Sequence, residues 1–136
     1  MARVHTAISL RGVSVIGMRR VSKLAETDPL TQAPDQRALM GRLESILRKG
    51  DKPTLWLAML DLDNFKNIND DYGHDVGNNV LINFANLIIR KEHLVYFGRL
   101  GAEEFGLILC TPTAYQATGA LYDLLQILKN INAAIK

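Results

Sequence analysis

Cys110 is the lone cysteine in 136 residues. No internal disulfide can form, and no cysteine cluster can hold a metal. The natural reading is a reducing compartment, the cytoplasm. An excess of one charge is missing as well: 16 basic and 14 acidic residues leave a net charge of +2. That balance gives no general signal for nucleic acid or for an acidic membrane surface. Long apolar runs are absent. The stretch from Ala7 to Met18 is interrupted by Arg11, is too short to span a bilayer and precedes no small-residue cleavage site. Repeats and low-complexity tracts are absent too. What is present is an apolar content of 48%, enough for one core and too high for a disordered chain.

Residues 4–18 are rich in β-branched side chains, with Gly12 and Gly17 as punctuation, and predict a strand or short hairpin. Residues 19–27 read as a short helical connector that Asp28-Pro29 breaks. A helix is predicted from Pro34 to Gly50. Asp35 caps it, and Leu39, Leu43, Ile46 and Leu47 recur at helical spacing. Thr54 to Leu60 reads as a buried strand, and residues 61–73 as a polar, Asn/Asp-rich segment. A second helix follows from about Val76 to Arg90, with Val80, Leu81, Phe84, Leu87 and Ile88 on one face. Residues 94–100 and 105–110 predict two strands around a glycine-containing turn. A last helix covers 113–133 on a stripe of Leu121, Leu124, Leu125 and Leu128. The order is that of an α+β, ferredoxin-like fold, one terminal strand short of βαββαβ. It divides into an N-terminal strand and connector over 1–27 and a domain over 28–136.

Carboxylates mark the candidate site. Asp61 and Asp63 follow a buried strand, and Glu103 and Glu104 sit in the hairpin turn beside it. Carboxylates converging from two strand ends suit Mg²⁺, which takes oxygen ligands and keeps positions for water and phosphate. Spacing alone leaves solvated turn carboxylates as the commoner outcome. An EF-hand is excluded, because a loop starting at Asp61 puts Lys66 where glycine is needed and Tyr72 where glutamate is needed.

Three blocks, in order, resemble the GGDEF domain family. Asp28-Pro29-Leu30-Thr31 with Pro34 and Arg37 is similar to the family's opening DPLTGLPNRR. Asp61-Leu62-Asp63-Asn64-Phe65-Lys66, then Asn69-Asp70, Tyr72-Gly73-His74 and Gly77, resembles DxDxFKxxNDxxGHxxGD. Arg99-Leu100-Gly101-Ala102-Glu103-Glu104-Phe105 resembles RYGG(D/E)EF. The resemblance implies a nucleotidyl cyclase-like sheet and diguanylate cyclase chemistry, in which two GTP become cyclic di-GMP. It implies Mg²⁺ or Mn²⁺ held by Asp61, the Leu62 carbonyl and Glu103, with Glu103 and Glu104 as the catalytic pair. Backbone amides near Asn64 and Phe65 would cradle phosphates, beside the signature turn of Gly101 and Ala102. Asn69 and the residue at position 78 would read the guanine. His74 lies where the family has a substrate-proximal histidine, with a structural role at the helix start as the alternative. Two domains must face each other, so a homodimer is implied.

The sequence departs from that pattern in four places. Asn78 replaces an aspartate that reads guanine, so an NH₂ group meets a donor. Ala102 replaces the second signature glycine and narrows the options that glycine offers, φ > 0 and close approach. Glu92 and Val95 stand where the family's inhibitory RxxD has its arginine and aspartate. The sequence given stops at Lys136, where the family continues with a strand similar to VTVSIGVA and with basic phosphate ligands. Residues 4–18 have the composition of that strand. The expectation is that they pack on the vacant edge, within the chain or swapped between chains. Three readings stay open: a weak or inactive cyclase domain of cyclic di-GMP signalling, a non-catalytic module that binds GTP or a partner protein, and a remnant that only dimerises.

Overall fold

The computed structural model describes residues 2–9, 26–49 and 54–135. Its elements are β1 (Ala2–Ser9), α1 (Gln36–Lys49), β2 (Leu55–Leu62), α2 (Phe65–Tyr72), α3 (His74–Ile89), β3 (Leu94–Arg99), β4 (Glu104–Cys110) and α4 (Ala114–Ile135). The four strands form one sheet in the order β1-β2-β4-β3, and every neighbouring pair is antiparallel.

Alternation along the strands sends side chains to two cores. Ala58, Leu60 and Leu62 of β2 join Leu107 and Leu109 of β4 on one face, under Val80, Leu81, Phe84 and Ile88 of α3 and Leu121 and Leu124 of α4. The intervening Ile108 and, further back on β2, Leu55 face the other way and pack with Leu39 and Leu43 of α1. Phe84 meets Phe105 edge-on, with ring centroids 4.8 Å apart at 78°. Such a pair adds about 1 kcal/mol beyond the area it buries. Phe105 belongs to the signature turn, so the core anchors the turn directly.

Helix α1 begins as expected, with Asp35 Oδ1 accepting the Ala38 N–H at 3.0 Å. It ends on Arg48 and Lys49, where the helix dipole favours cations. Glu44, buried on α1, pairs with Arg48 one turn on. Trp56 is half-buried and donates its indole N–H to the Thr111 carbonyl at 3.2 Å.

Two expectations change. The polar, Asn/Asp-rich segment 61–73 carries regular structure that the sequence reading does not assign to it: β2 runs on to Leu62 and residues 65–72 form α2. Its Asn/Asp content disfavours a helix intrinsically. Burial of Phe65 and Ile68, three residues apart on one face, overrides that preference. At the N-terminus, Ala2–Ser9 lies along the edge of β2 within the same chain, with a register irregularity between Val4 and Thr6. The rest of the expected strand or hairpin, residues 10–18, and connector residues 19–25 lie outside the described residues. Among the described residues no helix is long and apolar enough to cross a membrane.

Candidate active site

The β2–β4 register brings the acidic residues together. Asp61 stands directly opposite Glu104, and the Leu62 N–H donates to the Glu103 carbonyl at 3.0 Å. Asp61, Asp63 and Glu103 are half-buried, whereas Glu104 is exposed. Like charges directly across a ladder destabilise a sheet. Burial, and then the charges of Asp61, Glu104 and Asp63, push the Glu103 carboxyl above its ordinary value of 4.5. Asp61 Oδ1 is itself buried. On the far side of β2 the register sets Arg3 of β1 opposite Asp61, a neighbour that only the strand pairing reveals.

Such crowding is what a hard cation relieves. Among the described residues no three His, Cys, Asp or Glu side chains form a ready-made cage. Mg²⁺ does not need one, since it is usually held by one or two carboxylates with water and phosphate completing its shell. Asp61, the Leu62 carbonyl and Glu103, which flanks the ladder and whose carbonyl accepts the Leu62 N–H, are oxygen donors of the kind such a partial shell uses.

The other side of the same turn is opposite in character. Arg99 Nη1 donates to both carboxylate oxygens of Asp28 at 3.0 Å. Its Nε donates to the Gly101 carbonyl at 3.0 Å and its Nη2 to the Ala102 carbonyl at 2.8 Å. Asp28 also accepts from the Thr31 N–H at 2.8 Å and the Thr31 hydroxyl at 2.7 Å. Burial alone would raise the Asp28 carboxyl; the Thr31 and Arg99 hydrogen bonds and the Arg99 charge outweigh it and hold it below 3.8. Sequence reasoning did not pair Asp28 with Arg99, which are 71 positions apart. Both belonged to quoted motifs, but nothing in their spacing says that they touch. An open cleft of about 470 Å³ lies here, lined by Asp28, Asp35, Gln36, Arg37, Arg99, Leu100 and Gly101. None of Asp61, Asn69 or Glu103 lines it.

Ala102 and Gly101 are exposed, and neither has a positive φ. The turn therefore does not use the left-handed freedom that a second glycine would supply. Gln32 does adopt a left-handed conformation, φ 61°, where the family's opening motif has glycine.

Beyond Leu62 the chain turns sharply through Asn64, left-handed at φ 59° and ψ 23°. Asparagine tolerates this better than most residues. The turn starts α2 at Phe65, whose ring is buried, so its backbone amide is what it can offer a ligand. Gly73, at φ 92°, separates α2 from α3. His74 opens α3 and is exposed, Asn69 is half-buried on α2, and Asn78 is exposed on α3 next to buried Gly77. The carboxylates are thus one contiguous group, and Asn69, His74 and Asn78 surround the α2–α3 junction. Of the inhibitory positions, Glu92 is exposed and Val95 is half-buried on β3.

A four-stranded antiparallel sheet carrying an acidic hairpin turn beside a strand end defines a nucleotidyl cyclase-like α+β domain. A family profile described as "Diguanylate cyclase, GGDEF domain" matches residues 25–136, and the chain belongs to that family. It is 41% identical over 114 residues to diguanylate cyclase DgcP of Pseudomonas aeruginosa, covering 82% of this chain and 16% of DgcP. It is 34% identical over 103 residues to the cyclic di-GMP phosphodiesterase PdeR of Escherichia coli, covering 75% of this chain and 15% of PdeR. Among solved structures, the GGDEF domain of DgcB from Caulobacter crescentus, in complex with c-di-GMP, matches with a TM-score of 0.66 at 30% identity. That match covers 76% of this chain and 63% of the other. The chain is thus related to diguanylate cyclases of cyclic di-GMP signalling, and it spans a small part of the curated relatives' length.

Proposed function

We propose that residues 28–136 bind GTP with Mg²⁺ or Mn²⁺ and convert it to cyclic di-GMP weakly or not at all. The observation that carries this reading is the acidic crowding at the end of β2, where Glu103 is pushed up by burial and by three neighbouring carboxylates. A divalent cation held by Asp61, Glu103 and the Leu62 carbonyl would neutralise the nucleotide phosphates and the charge that grows in the transition state. Glu103 also serves as the base candidate that helps take the proton from a 3′-hydroxyl. That oxygen attacks an α-phosphate, and pyrophosphate leaves. Glu104 adds negative charge beside it. The amides at the start of α2, around Asn64 and Phe65, face the phosphates. Asn69 and Asn78 meet the guanine, with His74 nearby. Two such domains face each other in a cytoplasmic homodimer, each supplying half of the reaction.

Asn78 argues against efficient turnover. An aspartate accepts two charge-assisted hydrogen bonds from N1–H and the exocyclic amine, whereas an amide brings an NH₂ against a donor. Ala102 weighs less, because the turn has no positive φ for a second glycine to serve.

The pure protein with GTP and Mg²⁺ or Mn²⁺ provides the test. Cyclic di-GMP that disappears in Glu103→Ala supports an enzyme, and calorimetric binding without product supports a GTP-binding module. No binding in either metal overturns the proposal. Asn78→Asp should tighten GTP by about tenfold, the worth of one hydrogen bond. Unchanged affinity would remove Asn78 from the base-reading set.

A further inference from the structure

Gly77 is buried on α3, directly against the Asn69 side chain of α2. A Cβ at position 77 would overlap Asn69 Oδ1. It would also stand 2.9 Å from Asn69 Cγ and 3.4 Å from Phe65 Cζ. The backbone of Gly77 is helical without a positive φ. Conformational freedom therefore does not call for glycine here; space does. Within a helix, glycine is the least favoured residue after proline, so this position carries a local disadvantage with no backbone reason. Among the described residues no hydrogen bond engages the Asn69 side chain. With its oxygen laid on the bare Cα of Gly77, the amide has its NH₂ group left to donate.

We propose that Gly77 is a positioning residue for Asn69: the uncovered Cα of α3 is the seat that holds the amide in the orientation that meets the base. This rests on the reading of Asn69 as a guanine contact. A Cβ at 77 meets only side-chain atoms, nearest the terminal oxygen of Asn69, and no backbone among its three nearest atoms. The helices therefore stay where they are, and Asn69 rotates off its seat. Alanine at 77 also improves the intrinsic helix preference of α3. Fold and site are expected to respond in opposite directions, which a purely structural role for Gly77 does not produce.

The experiment compares wild type, Gly77→Ala, Asn69→Ala and the double variant by GTP calorimetry, thermal melting and ¹⁵N-resolved NMR of the side-chain amides. Gly77→Ala is expected to weaken GTP roughly tenfold, the worth of one lost hydrogen bond, with an unchanged or higher melting temperature. Asn69→Ala should weaken it to a similar extent, and the double variant no further than either single one, because both remove the same contact. The Asn69 NH₂ resonances, assigned by their absence in Asn69→Ala, should move in Gly77→Ala without any nucleotide. Unmoved Asn69 resonances in Gly77→Ala overturn the seat. GTP affinity unchanged in Gly77→Ala but reduced in Asn69→Ala also overturns it, and leaves the base reading standing. If Asn69→Ala binds GTP as wild type does, the base reading fails together with the role assigned to Gly77. If wild type binds no GTP, the proposed function fails, and the resonance shift alone decides whether Gly77 seats Asn69.

Discussion

The two sides of the signature turn are built on opposite electrostatic plans. On the Arg99 side, one guanidinium ties a carboxylate 71 positions away to two carbonyls of the turn, and Thr31 completes the Asp28 shell. On the Glu103 side, half-buried carboxylates crowd one another at the end of the β2–β4 ladder. On the first side a cation meets its carboxylate directly. On the second, burial and neighbouring carboxylates raise the Glu103 carboxyl. A folded domain tolerates the second because the first, with Phe105 in the core, fixes the turn.

The largest effect should come from breaking the satisfied side. The Arg99 and Asp28 side chains are each 16% exposed. Arg99→Ala leaves a largely buried carboxylate without its cation and two turn carbonyls without a donor. Removing one partner of such a pair costs about 3 kcal/mol. Urea denaturation measures this, and a loss under 1 kcal/mol would mean that water replaces the guanidinium freely. The pH response should separate the two sides. Asp28 is depressed in the folded state, so its contribution is present above 3.8 and fades as pH falls below that value. Glu103 is raised, so the folded state holds its proton more tightly than the unfolded chain does. Its contribution is therefore present below 4.5 and fades as pH rises through the folded value. Wild type minus Glu103→Gln, followed by melting between pH 3 and 7, should isolate the second slope. Wild type minus Asp28→Asn should isolate the first, with the opposite sign.

Next in size is the relief of the crowded side. Glu103→Gln removes one of several neighbouring like charges and should raise the melting temperature of the metal-free protein at neutral pH. The same substitution should abolish most of any rise in melting temperature that Mg²⁺ gives to wild type, because the ligand that gained from the cation is gone. A wild-type melting temperature indifferent to millimolar Mg²⁺ would show that the crowding serves something other than a cation.

What was legible in the sequence follows the same division. Regular apolar spacing revealed α1, α3, α4 and the three strands β2, β3 and β4, because burial writes a period into the chain. Helix α2 was not legible: two buried residues among Asn and Asp leave no period to count. The acidic cluster could be guessed, since both halves sit at strand ends. Its other side could not be, because a 71-residue ion pair leaves no trace in local spacing. Composition predicts a strand or hairpin over 4–18 on a vacant edge, within the chain or swapped; the paired strand is Ala2–Ser9, and its register, which sets Arg3 opposite Asp61, exists only in the pairing. Ala102 shows the reverse case. Motif comparison marks it as a defect, while the backbone shows no left-handed residue there to be strained.

The smallest prediction sharpens the satisfied side. Gln32 closes the Asp28 loop, donating its backbone N–H to the Asp28 carbonyl at 2.9 Å while held at φ 61°. A left-handed conformation costs a non-glycine residue about 1 kcal/mol or more. Its side chain recovers part of this by donating to the Pro29 carbonyl at 3.0 Å, an exposed bond of small net worth. Glycine removes the steric term, loses that bond and leaves a more flexible unfolded chain. The balance favours Gln32→Gly by about 0.5 kcal/mol, with GTP binding unchanged. Urea midpoints read in the wild-type and Arg99→Ala backgrounds would test whether the gain belongs to the loop as Arg99 holds it. A gain that persists without Arg99 would mean that the Asp28 loop keeps its shape through Thr31 and Gln32 alone. The guanidinium would then fix the turn and not the loop.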